Sequence, residues 1–201
     1  MLKPFIKTFM ILLLLVLLNG CNHEKTHDNI TENSIQNMQL TKEEEQIIYL
    51  IESDKSKFSL FNFDAKDFNS LDIWVEIYNN GELLDKSNKI SYTFISNEKT
   101  GIIAIAIEKI PDFYYSFSIL TEGNKISSLS EAYTNNKSSY SFGSMNKAVN
   151  INDNKEIVLY TVLFANEIGG IPILLDEQDL ISSPELLMNY SIAHIIKCKF
   201  Y

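Results

Sequence analysis

The chain has 201 residues, 45% of them apolar, and a formal net charge of −9. That length carries one well-cored domain and no more, and the acidity argues against nucleic acid as a partner, since phosphate would be repelled. All 17 basic residues are lysine, so the bidentate guanidinium fork that clamps carboxylates and phosphates is missing.

The first residues have three parts in a fixed order. Lys3 and Lys7 make a positive end, Phe9 to Leu18 is an unbroken apolar run, and Leu18-Asn19-Gly20-Cys21 closes the segment. A membrane-spanning helix needs about 20 apolar residues, so this shorter run reads as the core of a signal peptide. Leu18, Gly20 and Cys21 resemble the bacterial lipoprotein signal, whose lipobox ends in a small residue followed by cysteine; Asn19 is a less usual occupant of its second position. The resemblance covers residues 1–21. It implies cleavage after Gly20, a diacylglyceryl thioether on Cys21, usually an acyl group on the new amino end, and a place outside the cytoplasm at the cell membrane. Two or three chains anchor stably where one does so only marginally. Removing Lys3 and Lys7 with residues 1–20 takes the net charge to −11. A lipidated Cys21 cannot pair with Cys198, the other cysteine, so no intramolecular disulfide is expected.

Residues 21–40 are polar and unpatterned and read as a flexible tether, with a single domain over 41–201. Thr41-Lys42-Glu43-Glu44 has the spacing of a capping box, and Ile47, Ile48 and Ile51 follow at helical spacing. A short helix over 41–52 is predicted, although the β-branched run equally fits a first strand.

Beyond Lys57 the period becomes two. Leu71, Ile73, Val75 and Ile77 alternate with Asp72, Trp74, Glu76 and Tyr78, and Asn79-Asn80-Gly81 is a strong turn signal. Ile90, Tyr92 and Phe94 alternate with Ser91 and Thr93; Ile102–Ile107 follows a turn; Phe113, Tyr115, Phe117 and Ile119 share one face. Ile157–Phe164 is apolar almost throughout, as a strand buried on both faces would be. Ser183-Pro184-Glu185 suits a helix start, and Ile192, His194, Ile196, Cys198 and Phe200 share a face opposite Lys197 and Lys199. Seven to nine such strands predict an all-β fold: a single antiparallel β-sandwich, Ig-like in general architecture, with one or two short helices. A barrel, or an antiparallel sheet carrying helices, is the alternative.

No recognised catalytic motif is present, and neither a metal nor another cofactor is expected. His23 and His27, with Glu24 and Asp28, have metal-compatible spacing, but ordering a site on a tether is entropically costly. His194 and Cys198 read as core residues rather than as a base and a reactive thiol. The Asn150–Glu156 run is oxygen-rich but lacks the alternating carboxylates and the mid-loop glycine of a calcium loop, and Asp64 and Asp67 read as a solvated loop. The remaining candidate is Trp74, the sole tryptophan, on a face with Asp72, Glu76 and Tyr78. Aromatic faces between carboxylates can stack on sugars or anchor a protein interface, unless a neighbouring segment covers them.

The expected function is therefore a non-enzymatic binding module, tethered to the membrane through lipid on Cys21, for an extracellular protein, peptide or glycan. A carboxylate-based extracytoplasmic hydrolase and a protective or inhibitory lipoprotein are the alternatives.

Overall fold

The computed structural model describes residues 30–52, 56–95, 99–109, 112–132, 139–152, 155–165, 178–182 and 184–201. The signal segment, Cys21, His23 and His27 lie outside the described residues. The strands are β1 (Ser34–Asn37), β2 (Ser56–Asp64), β3 (Ser70–Asn79), β4 (Glu82–Thr93), β5 (Thr100–Lys109), β6 (Phe113–Thr121), β7 (Lys125–Ala132), β8 (Tyr140–Ser144), β9 (Val149–Asn150), β10 (Ile157–Ala165) and β11 (Tyr190–Phe200). Two short helices, α1 (Lys42–Ile51) and α2 (Asp179–Ser182), and a 3-10 turn at Pro184–Asn189 complete the described elements.

The strands form two antiparallel sheets, ordered β7-β6-β5-β2-β1-β9 and β4-β3-β11-β10-β8. The two-residue period explains how they pack: one face of each strand enters a shared core. Leu71, Ile73, Val75 and Ile77 of β3 meet Phe61 and Phe63 of β2, Ile103, Ile105 and Ile107 of β5 and Phe113, Tyr115, Phe117 and Ile119 of β6 there, together with Ile196, Cys198 and Phe200. The all-β sandwich predicted from the alternation is thus the fold. Between β3 and β4 the chain turns at Asn80 (φ 46°) and Gly81 (φ 85°). Positive φ at both central residues is the hairpin geometry that matches strand twist.

The doubly buried strand is β10, between β11 and β8. Its inner residues join the main core, while Val158 and Leu163 face outward into a second cluster with Leu180, Leu187, Tyr190, Ala193 and Ile195. The α2 and 3-10 segment forms that roof. Gln178 pins it by bonding both backbone groups of Val158: Nε2 donates to the carbonyl at 2.7 Å, and the Val158 N–H donates to Oε1 at 3.4 Å. The pairing of β8 with β10 begins only at Tyr160, so the side chain completes the ladder there.

The capping box is realised in α1, where Thr41 Oγ1 accepts from the Glu44 N–H and Glu44 accepts from the Thr41 N–H. The expected tether ends sooner than residue 40. Residues 34–37 form β1, with Ile35 fully buried, because Asn33 clamps the chain to the next turn. Its Nδ2 donates to Asp67 at 2.6 Å, and its Oδ1 accepts from the Asp67 N–H at 3.1 Å. Asp64 and Asp67 are thus turn-builders. Among the described residues no helix is long and apolar enough to cross a membrane.

Candidate functional site

The face singled out in the sequence is the outer face of β3. With Leu71, Ile73, Val75 and Ile77 committed to the core, Asp72, Trp74, Glu76 and Tyr78 point away from it. It is not an open aromatic platform. Trp74 is only 4% exposed and Tyr78 is partly buried, and both rings are turned toward the carboxylate between them. Trp74 Nε1 donates to Glu76 Oε1 at 3.0 Å, and the Tyr78 hydroxyl donates to Oε2 at 2.6 Å.

Two lysines from the flanking strands complete the shell. Lys86 of β4 lies 2.9 Å from Glu76 Oε1, and Lys197 of β11 lies 2.7 Å from Oε2. Lys197 also pairs with Glu156 at 3.0 Å, and Lys86 with Glu156 at 3.7 Å. The Lys86 ammonium stands 4.7 Å over the Trp74 ring, within cation–π range. A parallel pair sits at the strand's other end, where Asp72 meets Lys89 at 2.7 Å.

Four donors fill the acceptor positions of Glu76. Burial by itself would raise its pKa; the bonds from Lys197, Tyr78, Trp74 and Lys86 outweigh this and hold the carboxyl at about 2. At Asp72 burial is likewise overcome, by Lys89 and the hydroxyls of Ser91 and Tyr201, so its pKa is lowered. Glu76 is therefore a fixed anion at neutral pH with no lone pair to offer a substrate proton. The solvent-facing groups are the cations. The side chains of Lys86 and Lys89 are 50% and 57% exposed, against 4% and 10% for Glu76 and Asp72.

Lys86, Lys89, Lys197 and Glu156 were not recognised as part of this site from sequence. Lys197 carried a usable signal, since its alternation against Ile196 and Cys198 already places it outward. Lys86 and Lys89 carried none, because a bulge sets their facing.

His194 and Cys198 are both in the core, as the alternation of β11 implies. The Tyr115 hydroxyl shares a hydrogen bond with His194 Nδ1, and Nε2 has no partner among the described residues. Phe113 and Phe164 pack against the ring, with centroids 5.8 and 5.3 Å away. Burial lowers the His194 pKa to about 3 and pushes the Cys198 thiol well up. Both lie on the core face of the sheet, opposite the face that carries Glu76 and its donors. Asp153 and Asn154 of the oxygen-rich run lie outside the described residues; the Lys155 N–H donates to the Asn152 carbonyl at 3.2 Å. Among the described residues no three His, Cys, Asp or Glu side chains gather to hold a metal.

Fold and site together define an all-β sandwich with a saturated carboxylate hub under a lysine rim. The chain belongs to the YgaN domain family, which matches residues 34–172. No curated protein and no solved structure matches it. The family match starts at the first residue of β1 and stops before β11, although β11 lies between β3 and β10 and supplies Lys197 to the hub.

Proposed function

We propose that this chain is a bacterial lipoprotein, held on the extracytoplasmic side of the cell membrane by lipid on Cys21, whose sandwich is a non-enzymatic binding module. Its binding face is the outer face of β3 and β4, and its partner is an extracellular protein, peptide or glycan that offers acceptor oxygens. The observation that carries the binding reading is the layering of charge: carboxylates beneath, ammonium groups above and exposed. A partner meeting this face finds the ammonium groups of Lys86 and Lys89 as donors. The anchor rests on the short apolar run and Leu18-Asn19-Gly20-Cys21. With β1 starting at Ser34, the 13 residues from Cys21 reach on the order of 40 Å when stretched, enough to lift the face off the headgroups. A hydrolase would need a carboxyl able to exchange a proton near neutral pH. Glu76 and Asp72 both have lowered pKa values and hold lysines instead, which favours binding over catalysis.

Two measurements test the two halves separately. Cys21→Ser should abolish incorporation of labelled fatty acid, and equal labelling of the variant would sink the anchor. Material captured from cell envelopes by the chain should be lost with Lys86→Gln/Lys89→Gln, whose amides still donate toward Glu76 and Asp72, with capture compared at a temperature below the variant's own melting transition. Undiminished capture by that variant would remove the binding face.

A further inference from the structure

Four strands close the sides of the sandwich: β7 and β9 in one sheet, β4 and β8 in the other. An open edge presents unpaired backbone groups, and proteins blunt edges by shortness, bulges or charge. β9 has two residues and β8 five. β4 is long, but two register shifts against β3 interrupt it, and it carries Glu82, Asp85, Lys86 and Lys89. β7 is neither short nor bulged, and its two charges, Lys125 and Glu131, are of opposite sign and stand near its two ends. All eight of its residues, Lys125 to Ala132, pair with β6 without a register shift, and among the described residues nothing pairs with its other side. Leu129, on the sheet's outer face, is 72% exposed.

The sequence of this edge is complementary to itself. Lys125, Ser127, Leu129 and Glu131 lie on the outer face, because they stand opposite Leu120, Ser118, Ser116 and Tyr114 of β6. If a second β7 is laid antiparallel about a two-fold axis through Ser128, Lys125 falls opposite Glu131 of the other copy. Glu131 falls opposite the other Lys125. The two Leu129 side chains become diagonal neighbours across the axis, a separation long side chains span. We infer that β7 is the site where two copies of this chain join edge to edge, making one continuous twelve-stranded sheet through an isologous contact. Of the possible registers, this one puts both opposite-charge pairs face to face and covers the exposed leucine. It matters for a chain of net charge −9, whose copies otherwise repel.

The test uses the full chain purified in mild detergent and followed by sedimentation equilibrium. Wild type should show a reversible dimer. Lys125→Glu and Glu131→Lys alone each turn two attractive pairs into two repulsive ones and should weaken the dimer at least about tenfold. The double reversal should restore it. Under mild oxidation, Lys125→Cys mixed with Glu131→Cys should give a linked dimer, and neither variant alone should. A chain that stays monomeric at every concentration overturns the proposal. So does a dimer indifferent to the single reversals, or a mixture that forms no cross-link.

Discussion

Lys86 and Lys89 stand on the same face of β4 although they are three residues apart. In a regular strand that spacing puts side chains on opposite faces. Here the register against β3 slips between Ile73 and Val75, which face Ile90 and Ser87, so β4 gains one residue between the two lysines. A bulge of this kind re-aims a side chain. One lysine reaches Glu76 and the other Asp72, and without the slip one of the two ammonium groups would point toward the core.

Glu76 should be the most sensitive position on this face. Replacing it with glutamine leaves Lys86 and Lys197 with only Glu156 and sets an amide N–H₂ against donors. The loss expected in urea unfolding is about 2–4 kcal/mol, somewhat under that for breaking a fully buried pair from one side, because Lys86 is half exposed. The pH dependence follows from a folded pKa of about 2 against 4.5 for the free group. Because the folded value is depressed, the contribution is complete above about pH 4.5 and is lost as pH falls toward 2. Glu76→Gln should lack that component of the wild-type acid slope; identical slopes would show that the hub does not stabilise the fold.

Trp74 separates packing from hydrogen bonding. Trp74→Phe keeps an aromatic ring under Lys86 but deletes the bond to Glu76 Oε1, and should lose about 1 kcal/mol. Trp74→Ala empties a buried site and should lose about 3 kcal/mol or more. Equal losses in chemical denaturation would mean that the indole N–H contributes nothing.

The strand faces were legible because a buried face forces strict alternation, and β3, β6 and β11 each keep it over several residues. The helix was legible from one spacing, Thr41 to Glu44. What could not be read has a common cause. The β4 bulges break the period that would reveal Lys86 and Lys89, and the four residues of β1 are too few to show a period within a polar stretch. Whether Trp74 lay open or covered was likewise beyond pattern reading. It depends on side chains that come from β4 and β11, as much as 123 residues apart from it in sequence.

Cys198 should be inert in the native protein. It is fully buried and its thiol pKa is raised by that burial, so both access and thiolate are withheld. With Cys21→Ser as background, leaving one thiol, a maleimide should react slowly in buffer and quickly in denaturant. Rapid native labelling would mean that the β11 strand opens readily, which its central place in the sheet argues against.

His194 should make the fold acid-labile before the carboxylates do. Its folded pKa of about 3 lies below the ordinary 6.5 because burial disfavours the imidazolium. The unfolded chain therefore binds a proton that the folded chain refuses, and stability falls as pH drops from about 6.5 toward 3. The size of the loss is on the order of 3–5 kcal/mol across that window. Among the described residues the ring is packed by Phe113, Phe164 and Tyr115 and not by a carboxylate that could offset it. Removing the histidine alone would strand the Tyr115 hydroxyl, so the informative variant is Tyr115→Phe with His194→Phe. Taking away both partners of a buried hydrogen bond can be nearly neutral, so stability at pH 7.5 should change little. Between pH 6.5 and 4.5, where Glu76 is still fully charged, urea midpoints of wild type should fall while those of the double variant stay level. If both fall alike, burial does not hold the His194 imidazole neutral in the folded state.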